Sequence, residues 1–194
     1  MWTQKEESVL IMPPVYYPFF NSIKETGRQL VECPLLKEDE HYKMDIELFE
    51  NKILTENVKV FILCSPHNPV GRVWTKKELQ AVLDICKKNE VYVIADEIHQ
   101  DIIMSGYEKV TAATCGNYDE YLITLTSASK SFNIAGFQCA YAIIPNAKMR
   151  EDYDRLAKKL HFTEGNSFSY IATQAVYEHG RPWLEAVCNI VESN

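Results

Sequence analysis

Four apolar runs of strand length, at residues 58–64, 91–95, 122–126 and 140–144, are rich in Val and Ile and show little alternation. A strand that reads apolar on both sides is buried on both faces, which is the condition of parallel strands covered by helices. Between the first two runs, Thr75-Lys76-Lys77-Glu78 forms a capping box, and Leu79, Val82, Leu83 and Cys86 follow at helical spacing. Strand, capped helix and strand make a βαβ unit, so the pair is predicted to be parallel. Ser8-Val9-Leu10-Ile11-Met12 is a further strand-like segment that needs neighbours on both sides. After Pro145, one apolar helical stripe runs through Met149, Tyr153, Leu156 and Leu160. Gly180 then interrupts, and Pro182 opens a last helix carrying Leu184, Val187, Cys188 and Val191. The expected fold class is α/β, a mostly parallel sheet with flanking helices.

Composition narrows the function. Lys and Arg number 20 against 27 Asp and Glu, a formal charge of -7, so there is no basic excess to neutralise a phosphate backbone and no nucleic acid partner is expected. No apolar run reaches membrane-spanning length, and Met1-Trp2-Thr3-Gln4-Lys5 has neither half of an export signal; no membrane association is expected. The nearest pair of the six cysteines, Cys64 and Cys86, lies 22 residues apart, so they read as reduced thiols of a cytoplasmic protein. Cys64 reads as a small buried hydrophobe. The five histidines are scattered; His67 and His99 alone could meet at adjacent strand ends, and no metal site is assigned. Neither GxGxxG nor a P-loop is present.

In open α/β sheets ligands gather beyond the carboxyl ends of the strands. Run 58–64 leads into Ser65-Pro66-His67-Asn68-Pro69-Val70-Gly71, whose prolines and glycine make a rigid turn presenting Asn68. Run 91–95 ends at Asp96-Glu97-Ile98-His99, and run 122–126 at Ser127-Ala128-Ser129-Lys130. A carboxylate can keep a pyridine nitrogen protonated, an amide can donate to a phenolate, an amine can form a Schiff base, and hydroxyls can hold phosphate. Singly, each group has an ordinary reading: Lys130 a solvated side chain, Asp96 a helix cap, Asn68 turn chemistry. Jointly they describe a site for pyridoxal 5'-phosphate (PLP).

The segments CSPHNPVGRVWTKKEL, VIADEIHQDI and TSASKSFNIAGFQ, with PVYYPFF, Met44-Asp45 and Arg181-Pro182-Trp183-Leu184, resemble the fold-type I PLP enzymes of the aminotransferase class I/II superfamily. Within it, they are most similar to the MalY/PatB group of cystathionine, or cysteine-S-conjugate, β-lyases. The resemblance implies an aspartate-aminotransferase-like large domain, incomplete at both ends. Residues 1–150 would be its central, cofactor-binding part, and 151–194 a helical segment leading toward a C-terminal small domain. It further implies that Lys130 bonds the cofactor, Asp96 pairs with the pyridine nitrogen, Asn68 binds the ring oxygen and Tyr16 stacks on the ring. Tyr17 would face substrate, and Ser127 would bind phosphate; the other reading of Ser127 is a hydroxyl closing its own turn. Three residues after Asp96, where many aminotransferases carry Tyr, this chain has His99, read as lyase-group character beside the ring. Eight after Lys130, where many relatives carry a phosphate-binding Arg, it has Gln138.

The activity so implied is α,β-elimination on a small amino-acid substrate by a homodimer, a cystathionine or cysteine-S-conjugate being split to pyruvate, ammonia and a thiol. Lys130, its basicity lowered by desolvation, would take the Cα proton. An aminotransferase of the same superfamily shares every residue named and is the alternative. The family's chains are longer than these 194 residues. A phosphate-cradling turn and the arginine for the substrate carboxylate are expected elsewhere, with Arg150, Arg155 and Arg181 reading as surface arginines and the chain alone catalytically incomplete.

Overall fold

Along residues 58–64, odd- and even-numbered side chains leave the sheet on opposite sides, and both sides are covered: Phe61 and Leu63 join one buried cluster, Val60 and Cys64 another. The computed structural model describes residues 2–162 and 165–194. In chain order its elements are β1 (Ser8–Ile11), α1 (Pro18–Glu25), β2 (Gln29–Glu32), β3 (Leu36–Glu38), β4 (His41–Lys43), α2 (Ile46–Thr55), β5 (Val58–Cys64) and α3 (Lys76–Lys88). There follow β6 (Tyr92–Asp96), β7 (Leu122–Thr126), α4 (Ala128–Ser131), β8 (Tyr141–Ile143), α5 (Ala147–Lys159), α6 (Ser167–His179) and α7 (Arg181–Ser193).

The main sheet has the order β2-β1-β5-β6-β7-β8. All its pairings are parallel except β7 with β8. The expected βαβ unit is there: β5 and β6 pair in parallel, and the helix between them starts with Thr75 and Glu78 in a reciprocal capping box. β1 is central, flanked by β2 and β5, and all four of its residues are buried. One face of the sheet packs on α2 and α3 through Phe49, Phe61, Trp74, Leu79 and Leu83. The other holds Val9, Ile11, Val15 and Val60 against Ile23 of α1.

Two expectations are corrected. The run at 140–144 forms an antiparallel edge strand in which Tyr141 and Ile143 are exposed, because an edge has no second neighbour to cover it. The stripe on α5 is helical as predicted, yet only Met149 is buried; Tyr153, Leu156 and Leu160 stay exposed among the described residues. The β3–β4 hairpin forms a small separate sheet with no counterpart in the sequence reading. No helix of the described residues is long and apolar enough to cross a membrane.

Candidate active site

The strand order places the site. From β1 the chain winds one way to β2, then returns to lay β5 on the other side of β1, so the carboxyl ends of β1 and β5 border a topological switch, the usual ligand crevice of such sheets. Beyond β1 lie Pro13 to Tyr17; beyond β5 lies the Asn68 turn. The register sets Cys64 opposite Asp96 and Asp96 opposite Leu125, so β5, β6 and β7 end at one edge. Asn68, Asp96, His99 and Lys130 are thereby gathered from segments far apart in the chain.

Asp96 is half-buried at the last position of β6, and its Oδ1 accepts from the Ile98 N–H at 3.2 Å. Burial raises its proton affinity, against that N–H and the nearby charges of His99 and Lys130. Burial likewise favours the neutral form of half-buried His99; the Asp96 carboxylate opposes this and Lys130 adds to it. A partly desolvated carboxylate beside an amine and an amide suits a guest that brings a positively charged N–H to the carboxylate and an anionic oxygen to the amide. A protonated pyridine bearing a phenolate is such a guest. The donor set fits PLP.

The Asn68 turn is closed by the His67 N–H on the Arg72 carbonyl and the Gly71 N–H on the His67 carbonyl, both 2.8 Å. Gly71 has φ +73°, a conformation a side chain resists. Asn68 itself is half-buried, its N–H 3.4 Å from Cys64 Sγ. Burial pushes that thiol up to about 12, which makes Cys64 a packing group rather than a nucleophile at neutral pH. Tyr16 is 42% exposed, edge-on to Phe19 at 5.5 Å, and Tyr17 is 73% exposed at the start of α1. Tyr16 thus keeps part of its ring surface exposed.

Lys130 sits on α4 and is exposed, so the described residues do not supply the desolvation expected of it. The turn beneath it is tightly held. Ser127 is buried and caps α4, accepting from the Ser129 N–H at 3.0 Å and donating to the Cys139 carbonyl at 2.5 Å. In this arrangement its hydroxyl closes its own turn. Ser131 donates to Asp101 at 2.9 Å, and Lys109 donates to the other oxygen of Asp101 at 2.8 Å. Asp101 was not singled out from sequence, because only the fold brings it under Ser131. Asp101→Ala is expected to cost about 1–2 kcal/mol, read from the denaturant midpoint, with Asp101→Asn costing less because it keeps an acceptor. A midpoint unchanged by the alanine would disprove the anchor.

Gln138 is exposed, with φ +51°, and brings no charge to the position eight residues after Lys130. Arg155 pairs with Asp152, Arg181 with Glu185 at 2.8 Å, and Arg150 donates to the Ile144 carbonyl at 2.7 Å, as surface arginines do. An open groove of about 1210 Å³ includes Asn68 and His99 in its walls but leads toward Tyr42 and Tyr107 rather than Lys130. The groove therefore does not coincide with the strand ends that carry Asp96 and Lys130.

Glu97 and His67 also emerge only from the fold. Glu97 is buried, its Oε1 accepting from the Ala112 N–H at 2.8 Å and its Oε2 unpaired among the described residues; burial raises its proton affinity against the Ala112 N–H and Thr111. His67 is 1% exposed, and burial pushes it down to about 4 against an ordinary value of 6.5, with the Pro14, Met12 and Cys64 carbonyls opposing and the Arg72 charge adding to the shift. A depressed value means that His67 stabilises the fold fully above pH 6.5, and this is lost as pH falls toward 4. Asp96 and Glu97, both raised, act with the opposite sign, costing stability as pH climbs past their ordinary values. Against a His67→Phe variant, the wild type is expected to lose on the order of 3 kcal/mol more between pH 6.5 and 4. Parallel pH–stability curves for the two would refute this.

The aminotransferase class I and II family model matches residues 1–184. The chain is 34% identical over 194 residues to cystathionine beta-lyase PatB of Bacillus subtilis (strain 168), covering all of this chain and 50% of that protein. Among solved structures it matches the PLP-bound C-S lyase of Staphylococcus hominis with a TM-score of 0.93 and 37% identity, over 99% of this chain and 48% of that one. Cystalysin from Treponema denticola, whose structure contains PLP, matches with a TM-score of 0.93 and 38% identity, over 100% and 49% respectively. The chain thus spans about half the length of each of these proteins.

Proposed function

The chain belongs to the aminotransferase class I and II family, and from that premise we propose that it carries the cofactor-holding residues of a PLP-dependent carbon-sulfur lyase. The substrate class is cystathionine or another cysteine S-conjugate. The observation that carries the reading is the meeting of amine, carboxylate and amide, Lys130, Asp96 and Asn68, at the carboxyl ends of three adjacent strands. The choice of lyase rests on the similarity to PatB and the C-S lyase structures.

Bound PLP supplies an electron-accepting pyridinium ring in conjugation with the carbon that receives the substrate amine. Asp96 keeps the proton on the ring nitrogen, and its burial makes a cationic N–H a welcome partner. Asn68 would donate to the ring oxygen, Tyr16 would stack on the ring, and Tyr17 would face the substrate. Ser127 would hold phosphate once its hydroxyl turned from the Cys139 carbonyl, and His99 would lie beside the ring. The Lys130 amine would hold the cofactor and would take the Cα proton of the substrate. The Cα–H and Cβ–S bonds break, the sulfur leaves as thiolate, and water converts the remainder to pyruvate and ammonia.

In the whole protein, we assign residues 1–150 to the central part of the cofactor domain and 151–194 to the approach to a second domain, within a cytoplasmic homodimer. A closed site there supplies the desolvation that Lys130 lacks among the described residues. The decisive experiment incubates the full-length PLP-loaded protein with cystathionine. Pyruvate and free thiol in equal amounts are expected. A keto acid formed one-for-one with aminated cofactor and no thiol would make it an aminotransferase.

A further inference from the structure

Two loops facing each other across the β1–β5 switch are joined by one buried side chain. His67 Nε2 lies 3.1 Å from the Pro14 carbonyl oxygen. A carbonyl only accepts, so Nε2 carries the proton and donates. In the neutral ring that leaves Nδ1 as an acceptor, buried with no hydrogen bond among the described residues, while the Met12 and Cys64 carbonyls lie near the ring. The ring stands edge-on to Trp74 at 5.4 Å and 82°, which fixes its plane. Through its main chain the same residue closes the Asn68 turn, donating to Arg72 and accepting from Gly71. Tyr16 follows Pro14 by two residues, and Asn68 follows His67 by one.

We propose that His67 is a positioning residue which, as the Nε2–H tautomer, ties the Tyr16 segment to the Asn68 turn and so sets the spacing between the aromatic cover and the amide. An unpaired buried acceptor is a cost that packing alone does not explain, since an apolar ring would fill the same space without it. The inference rests on the PLP reading of the site and names a residue that touches neither cofactor nor substrate. His67 acts through the two loops that do.

The test uses full-length protein and three variants: His67→Phe, which keeps a ring against Trp74 but no donor; His67→Gln, whose amide nitrogen reaches the place of Nε2; and Asn68→Ala. For each, the PLP dissociation constant, the pH midpoint of the bound cofactor's visible absorbance and the thermal midpoint are measured. His67→Phe is expected to weaken PLP about tenfold and to move the pH midpoint in the same direction as Asn68→Ala. His67→Gln is expected to restore both to within about twofold of wild type. Wild-type affinity and pH midpoint in His67→Phe would overturn the proposal, as would equal impairment of the phenylalanine and glutamine variants, which would make the ring a filler. Should the phenylalanine variant fail to fold, His67→Asn, polar but too short to reach Pro14, takes its place with the same expectation. An Asn68→Ala protein with unchanged affinity and absorbance would instead overturn the cofactor reading beneath the inference.

Discussion

Full-length protein carrying Lys130→Ala is expected to lose the visible absorbance of covalently held cofactor and to turn over S-conjugates at least about a thousandfold more slowly. In the proposed mechanism one substitution removes both the amine that holds the cofactor and the base that takes the Cα proton, and a positioned base alone is worth about 10²–10⁴ in rate. Folding is expected to survive. Lys130 is exposed, while α4 is capped by Ser127 and anchored by Ser131 on Asp101, and neither contact uses the lysine. Lys130→Arg should be equally inactive, since it restores the charge but offers no amine that deprotonates near neutral pH. An unmoved thermal midpoint with activity gone separates chemistry from collapse. A visible cofactor band and more than about a tenth of wild-type turnover in the alanine variant would remove Lys130 from the mechanism.

Trp74→Ala is expected to lower unfolding free energy by about 3–5 kcal/mol, the range for deleting a large aromatic from a well-packed core. Trp74 has no exposed surface, donates its Nε1–H to the Cys64 carbonyl at 3.0 Å, and carries the Arg72 guanidinium 4.5 Å above its ring. Its loss leaves a cavity, an unpaired carbonyl at the end of β5 and an unsupported His67 ring. Trp74→Phe keeps most of the volume and loses the hydrogen bond, so about 1–2 kcal/mol is expected. Urea unfolding followed by circular dichroism would measure both. A cost below about 1.5 kcal/mol for the alanine would show that the core beneath the Asn68 turn can collapse to fill the gap.

These two residues mark the reach of the sequence. Lys130 was legible because a lysine three residues beyond a Ser-terminated apolar run, with Asp96 and Asn68 at corresponding places, is a chemical pattern that survives in one dimension. Trp74 and His67 carry no such pattern. Their importance lies in the contacts of His67 with Pro14 and of Trp74 with Cys64, and the first of these exists only because the sheet order sets β1 beside β5. The exposed β8 edge and the exposed stripe of α5 show the same limit from the other side. Apolar spacing reports that a face exists, but not whether another element covers it.

Local chemistry determined the strands and the capped helix. Unalternating Val and Ile runs cannot stay solvated, and the Thr75–Glu78 box closes donors three residues apart without help from the rest of the chain. It also determined which side chains could do chemistry. Only the tertiary structure decided that β1 lies between β2 and β5, and hence that the Tyr16 segment borders the Asn68 turn. Strand order is chosen by burial summed over the whole sheet, a quantity no local window contains. Lys130 is exposed among the described residues, where the family resemblance had implied a desolvated base.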